Sequence, residues 1–195
     1  MRDPLAALQA DYAALEASPP AHLNSDQRRS LTYYRAERGI ASPGEVPFRT
    51  TQWLVDLHDL EAFIAKEGRS PRENNRLRRG EIGDRERHLA DWVRSQRRAL
   101  GDGKRCEYQR RRLACVPAFN PDPIQKRWLE VRDAYQAFLS STGRPPSARG
   151  ADQTERTLAM WAAKQRSAHR RGPLAATRTA SLEMLTMWGW GPRQR

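Results

Sequence analysis

Apolar side chains recur at helical spacing in the last third of the chain. Intervals of three and four residues place them on one face of a helix. The residues of this face are Trp128, Val131, Tyr135, Phe138 and Leu139. Gly143 can end the helix in a left-handed conformation, and Pro145 and Pro146 prevent its continuation. The pattern therefore predicts a helix that ends near residue 142.

Two further helices follow in the same pattern. In the second, Leu158, Trp161, Ala162 and Gln165 share one face. Gly172 and Pro173 then end the helical pattern. The third carries Leu174, Arg178, Leu182, Leu185 and Trp188. Three short amphipathic helices with large aromatic residues can close a small core.

The same three-helix pattern occurs once before, in residues 51–122. Trp53 matches Trp128 at a separation of 75 residues, whereas Trp92 matches Trp161 at a separation of 69. The first copy therefore has six extra residues between Pro71 and Glu86, as a surface loop tolerates. An internal repeat of this length predicts two tandem modules.

The first fifty residues contain two shorter helical patterns. The first carries Leu5, Leu8, Tyr12 and Leu15, and the second carries Leu31 and Tyr34. Leu23, Leu31 and Tyr34 have the spacing of Leu174, Leu182 and Leu185, so this segment is either the end of a degenerate third copy or an unrelated helical hairpin. The expected architecture is all-α, with an N-terminal helical segment and linker (1–50) and two three-helix units (51–122 and 123–195).

The net charge of +12 is concentrated in the repeats. Residues 1–50 are neutral, whereas residues 51–127 and 128–195 each carry a net charge of +6. Basic surfaces of this kind attract polyanions such as nucleic acid. The 31 arginines against four lysines have a second explanation, since a GC-rich genome raises the arginine content without any selection for binding.

The order of motifs in each copy resembles the helicase-associated domain. In the second copy the matching motifs are Trp128, Gly143-Arg144-Pro145-Pro146, Leu158 to Arg166, Gly172-Pro173-Leu174, Arg178, Leu182 and Trp188-Gly189-Trp190. The resemblance covers residues 51–190. It implies tandem small helical modules, often found behind bacterial helicase motors, that bind nucleic acid.

Several repeated or clustered basic residues are candidates for contact with nucleic acid. Gln96 and Arg97, which Arg98 follows, recur in the second copy as Gln165 and Arg166. The arginine either contacts phosphate or pairs with a carboxylate. The glutamine borders the core. Arg69 and Arg144 either contact phosphate or bond the last carbonyl groups of a helix, and the second role is favoured. The full set is Arg69, Arg76, Arg78, Arg79, Gln96, Arg97, Arg98, Arg110, Arg111, Arg112, Arg144, Gln165, Arg166, Arg170 and Arg171.

Three of these candidates form a run, and three others lie in the insertion. The run at 110–112 falls on the third helix of the first copy, which can enter a major groove. Arg76, Arg78 and Arg79 suggest a basic arm or an idle surface loop. The repeated tryptophans can stack on bases, but their helical spacing among Leu and Val favours a place in the core.

Nothing in the sequence suggests catalysis. The four histidines do not cluster with either cysteine, so no metal site is expected, and no nucleophile motif or phosphate-binding loop is present. We expect no cofactor, no membrane span and a cytoplasmic protein, associated with the nucleoid if its partner is DNA. The first hypothesis is a non-catalytic protein that binds nucleic acid, with DNA favoured. The alternative is an adaptor that docks on a helicase, nuclease or mobile-element partner.

Overall fold

A computed structural model describes residues 3–42, 44–72 and 83–191. In these ranges the chain forms helices and no strand, which confirms the predicted all-α class. The helices are α1 (Pro4–Glu16), α2 (Ser25–Arg38), α3 (Phe48–Glu67), α4 (Asp84–Gly101), α5 (Glu107–Ala114), α6 (Pro123–Thr142), α7 (Gln153–Arg171) and α8 (Ala176–Glu183). The chain divides into two compact units, Met1–Pro121 and Asp122–Arg195.

The ends of the long helices follow from local sequence. Gly68 and Gly143 end α3 and α6 in the left-handed conformation, with φ of 66° and 64°, a conformation that glycine adopts without steric strain. Asp122 and Asp152 each accept a hydrogen bond from a backbone N–H in the first turn of α6 and α7. Such caps satisfy amides that lack a partner within the helix.

The second unit is a three-helix bundle with one aromatic core. Buried and partly buried residues of α6, α7 and α8 pack together there. Trp161 lies 5.9 Å from both Trp128 and Tyr135, measured between ring centroids. The buried part of this core is Trp128, Tyr135, Leu139, Leu158, Ala162, Leu182 and Leu185.

The first unit contains an equivalent core from α3, α4 and α5. Its buried residues are Trp53, Leu54, Leu57, Leu60, Phe63, Ile64, Leu89, Val93, Leu113 and Val116. Trp92 and Phe119 pack against this core while partly exposed. The tryptophans thus occupy the core positions that their helical spacing favours.

The N-terminal segment forms a helical hairpin that packs on the first repeat. Leu8, Tyr12 and Tyr34 of α1 and α2 bury against Cys106 and Tyr108 at the start of α5. No local pattern in the sequence indicates that this segment packs on the repeat. In the structure the two share a second apolar core, because α5 presents buried side chains on the face that points away from the first core.

Two backbone amides of α5 also hold the hairpin. The N–H of Glu107 donates to a carboxylate oxygen of Asp26 at 3.0 Å. The N–H of Tyr108 donates to the Ser30 hydroxyl at 3.2 Å. Because these amides lie in the first turn of α5 and lack intrahelical acceptors, α2 supplies the caps that α5 needs.

Candidate nucleic-acid interface

The two glutamines named as candidates are buried in the cores, in line with the alternative in which glutamine borders the core. Gln96 is 2% exposed and Gln165 is 7% exposed. The indole N–H of Trp53 donates to Gln96 Oε1 at 3.0 Å, and that of Trp128 donates to Gln165 Oε1 at 3.0 Å. A buried indole N–H needs an acceptor, so the glutamine recurs because the tryptophan does. We therefore remove both glutamines from the candidate interface.

Arg69 connects the end of α3 to the start of α4. Its guanidinium donates to both carboxylate oxygens of Glu86, at 2.6 and 3.1 Å. The Arg72 N–H donates to the same carboxylate at 2.9 Å, and the guanidinium lies 5.3 Å from the centroid of the Phe63 ring. The hydrogen bond from Arg69 holds the pKa of Glu86 below its ordinary value.

Arg144 makes the same connection in the second unit. It donates to both carboxylate oxygens of Glu155, at 2.6 and 3.3 Å. The Ser147 N–H donates to that carboxylate at 2.8 Å, and the guanidinium lies 5.4 Å from the centroid of Phe138. The arginine has a structural role in both copies, but its main partner is a carboxylate of the second helix and not the last carbonyl groups of the first helix, which the sequence interpretation favoured.

Replacing Gly150 with alanine is expected to lower the free energy of unfolding of the second unit by about 1–3 kcal/mol. A Cβ at this position would lie 2.3 Å from Cδ of Glu155. The carboxylate would have to move, and its bonds to Arg144 and Ser147 would break. Urea unfolding measures the change. Gly189→Ala is the control, because its Cβ would meet no atom within 4 Å; equal effects of the two variants would refute the explanation.

Arg97 and Arg166 hold the segment that follows the third helix in each unit. Arg97 Nε donates to the Asn120 carbonyl at 2.7 Å, and Arg166 Nε donates to the Gly189 carbonyl at 2.6 Å. The two guanidinium groups lie over the ring that precedes each of these carbonyls, at 5.9 Å for Phe119 and 4.6 Å for Trp188. Burial lowers the pKa of Arg97. Through these bonds each arginine connects the second helix to the backbone that follows the third helix.

The backbone that these arginines hold has an unusual conformation. Ala118 and Met187 have φ of 60° and 58°, and they are the positive-φ residues other than glycine in the described part of the chain. They are 69 residues apart, like the other matched positions of this half of the repeat. The conformation costs free energy in a non-glycine residue, and the arginine of the second helix stabilises the turn.

The arginine run on α5 has three different environments. Arg110 is exposed and donates to the Arg105 carbonyl at 2.7 Å. Arg111 is partly exposed and forms an ion pair with Asp11 of α1. Arg112 is 2% exposed. The run therefore does not present three side chains to a single ligand, and Arg112 is removed from the candidate interface.

Arg112 is the centre of a buried ionic network between α2, α3 and α5. Its Nε donates to Glu37 at 2.7 Å, and its terminal nitrogens donate to Glu61 at 2.7 and 2.9 Å. The Tyr108 hydroxyl donates to Glu37 at 2.7 Å. Burial lowers the pKa of Arg112, but the bonds to Glu61 and Glu37 outweigh it and leave the pKa raised. Burial and the nearby charge of Glu37 raise the pKa of Tyr108.

The remaining candidates differ in their surroundings. Arg98 is exposed and lies close enough to Asp102 to contribute to lowering its pKa, after the larger effect of Lys104. Arg170 and Arg171 are exposed in the last turn of α7. The predicted basic arm with Arg76, Arg78 and Arg79 lies outside the described residues.

Residues 156–182 of the second unit contain six arginines and lysines and no acidic residue. The matched stretch of the first unit, residues 87–113, contains nine basic and three acidic residues. Many of the basic residues of the first unit form ion pairs, including Arg87–Asp84, Arg94–Asp91, Lys104–Asp102, Arg111–Asp11 and Arg112–Glu37. The two stretches have the same net charge of +6, but only the stretch of the second unit contains no carboxylate of its own.

Lys164, Arg170 and Arg171 carry this charge on the surface of α7. All three side chains are exposed, and none pairs with a carboxylate in the ranges that the structure describes. Arg171 donates to the Ser167 carbonyl at 3.3 Å. Our sequence interpretation missed Lys164, although the long stretch without Asp or Glu was a visible signal.

No group of three or more His, Cys, Asp or Glu that could hold a metal ion occurs among the described residues. No helix in the described ranges is long and apolar enough to cross a bilayer.

After comparison with known proteins, the resemblance to the helicase-associated domain stays a prediction. No protein-family model matches the chain. Neither the curated proteins nor the solved structures give a match.

Proposed function

We propose that this chain is a non-catalytic nucleic-acid-binding protein whose main contact surface is the C-terminal half of α7. The observation that supports the proposal is the exposed set Lys164, Arg170 and Arg171, which lies within 27 residues that contain no carboxylate. Uncompensated cations on one helix attract phosphate groups and release their counterions. Sequence-independent contact with the backbone of DNA or RNA is the function that this arrangement supports best.

Stabilisation of α7 by cations near its C-terminus explains only some of these three basic residues. Cations in the last turn interact favourably with the helix dipole, and the effect is confined to that turn. Arg170 and Arg171 lie in the last turn of α7. Lys164 lies two turns from the end of the helix, where the dipole has little effect. A ligand outside the protein explains all three positions.

The variant Lys164→Ala/Arg170→Ala/Arg171→Ala is expected to weaken binding to nucleic acid by about tenfold to a hundredfold. Three phosphate contacts are lost, so the dependence of affinity on salt should also become less steep. The measurement is fluorescence anisotropy of a labelled single strand and a labelled duplex, titrated at about 50 and 200 mM salt.

The matched control removes three charges from the N-terminal segment. Arg28, Arg38 and Arg49 are exposed, and the variant Arg28→Ala/Arg38→Ala/Arg49→Ala has the same net charge as the test variant. It should bind nearly as well as the original chain. If both variants lose the same affinity, the effect comes from net charge and not from the surface of α7. If the original chain does not bind nucleic acid, the proposed function is overturned.

Docking on a protein partner is the second candidate, and an exposed methionine favours it. Met184 in the second unit is 86% exposed. Cys115, which occupies the matched position in the first unit, packs against the core of the N-terminal hairpin. The end of α8 therefore leaves open a face that a helical hairpin covers in the first unit. Association through this apolar face would persist at high salt, in contrast to phosphate binding.

A further inference from the structure

A groove in the second unit joins the basic surface of α7 to an apolar floor. Ala159, Ala163, Arg166 and Arg170 of α7 line it, and their spacing of three and four residues puts them on one stripe of the helix. Pro146, with Ala148 and Gly191, completes the lining. The groove therefore has methyl groups and a proline ring at one end and two guanidinium groups at the other.

Arg166 is fixed in orientation before any ligand binds. Its Nε donates to the Gly189 carbonyl at 2.6 Å, and its guanidinium lies 4.6 Å from the centroid of the Trp188 ring. Its two terminal nitrogens have no acceptor among the described residues. A guanidinium that is already ordered loses less entropy when it binds an anion.

Arg170 lies one turn further along the same stripe. It is exposed and has no carboxylate partner in the described part of the chain. Side chains four residues apart on a helix have Cβ atoms about 5–6 Å apart, a separation at which two guanidinium groups can bind one phosphate. Charge-assisted bonds of this kind are the strong ones in phosphate recognition.

The apolar floor suits the flat face of a base. The methyl groups of Ala159 and Ala163 are accessible and carry no hydrogen-bonding group, so they can contact the face of a base but cannot bond its edge; Pro146, which also lines the groove, is buried. The faces of the bases are accessible in single strands and are covered by stacking in a duplex. A volume of about 300 Å³ is at the small end of the range for ligand sites, which suits one nucleotide.

We propose that this groove binds one nucleotide of a single-stranded nucleic acid, with its base on Ala159 and Ala163 and its phosphate between Arg166 and Arg170. The proposal rests on the proposed function and adds to it a preference for single strands. Because no side chain of the floor donates to or accepts from a base edge, the binding tolerates any sequence.

Filling the groove tests the proposal while all charges stay in place. Ala163→Leu keeps a good helix-forming residue on the exposed side of α7 and occupies the space of the base. It should weaken binding to a twelve-nucleotide oligo-dT by about tenfold, as expected for one lost base contact. Binding to a duplex of equal length should be unchanged. Ala137→Leu, at an exposed alanine of α6, is the matched control and should have no effect on either ligand.

A second variant tests the phosphate end of the groove. Arg170→Gln should weaken binding to oligo-dT and reduce the slope of log K against log salt by about 0.7, the contribution of one contact to a single strand. Arg38→Gln is its control, because Arg38 is also exposed in the last turn of a helix. Thermal unfolding of each variant checks that the helices remain intact.

The outcomes separate this proposal from the proposed function. If the protein binds nucleic acid but Ala163→Leu affects neither ligand, or if duplex and single strand lose affinity equally, the groove proposal is overturned and the proposed function remains. If neither oligo-dT nor duplex binds at low salt, both proposals are overturned. Selective loss of oligo-dT binding, together with the flatter salt slope, supports the groove as the site.

Discussion

Replacing Arg112 with methionine should lower the free energy of unfolding of the first unit by about 3–5 kcal/mol. Arg112 is 2% exposed and its guanidinium bonds both Glu37 and Glu61. Methionine fills much of the same volume but carries no charge. Glu37, whose side chain is 7% exposed, would then remain buried without its main cationic partner. An uncompensated buried carboxylate is among the most destabilising changes available in a small unit.

The loss of stability should be confined to the interface between the N-terminal hairpin and the first repeat. Glu37 belongs to α2, Glu61 to α3 and Arg112 to α5, so one guanidinium connects three helices. We expect hydrogen exchange to show faster exchange of amides in α1 and α2, with α6 to α8 unaffected. Urea unfolding gives the change in free energy.

Two further variants decide whether the buried charge is the cause. Arg110→Met, at the exposed neighbour two residues earlier, should change stability by less than about 0.5 kcal/mol. Adding Glu37→Gln and Glu61→Gln to Arg112→Met should recover much of the loss, because the stranded charges are then gone. If Arg110→Met costs as much as Arg112→Met, the network does not hold the hairpin.

Replacing Trp188 with alanine should lower the free energy of unfolding of the second unit by about 3 kcal/mol. Its ring centroid lies 5.5 Å from that of Tyr135 and 5.4 Å from that of Trp190. The Arg166 guanidinium lies over the same ring at 4.6 Å. The indole N–H has no hydrogen-bond partner among the described residues, so the loss comes from packing and from the cation–π contact.

Phe119 provides the matched comparison in the first unit. It occupies the equivalent position 69 residues earlier and contacts Arg97 at 5.9 Å, a longer distance than that between Arg166 and Trp188. Phe119→Ala should therefore cost clearly less than Trp188→Ala. Hydrogen exchange measured on each variant assigns the loss to α3–α5 or to α6–α8. Equal losses of stability in the two variants would contradict this account of the aromatic core. Faster exchange in the unit that does not carry the substitution would contradict it as well.

The helices could be predicted because their signals are local. Apolar residues at spacings of three and four, such as Trp128, Tyr135 and Leu139, define a face whatever it packs against. Gly68 and Gly143 mark helix ends, because the left-handed conformation there favours glycine whatever lies around it. The class of the fold and the equivalence of the two copies follow from such patterns.

The sequence could not assign roles to the arginines, because an arginine on a surface and one in a buried network have the same local pattern. Arg112 lies 75 residues from Glu37 and 51 residues from Glu61. Such pairings depend on how α2 and α3 pack against α5. The repetition of Arg69 with Glu86 in the second copy was a usable signal, since a pair that recurs in register is expected to be in contact.

The helical class, the places of the main helices and the excess charge of the repeats all follow from the amino-acid sequence, because periodicity, glycine ends and composition act over a few residues. The folded packing was needed to show that Gln96 and Gln165 accept from the tryptophans, that the hairpin completes the first unit, and that Lys164 and Arg170 have no carboxylate partner among the described residues. Each of these depends on which distant side chain lies within hydrogen-bond or ion-pair distance, and the packing of the helices sets those distances.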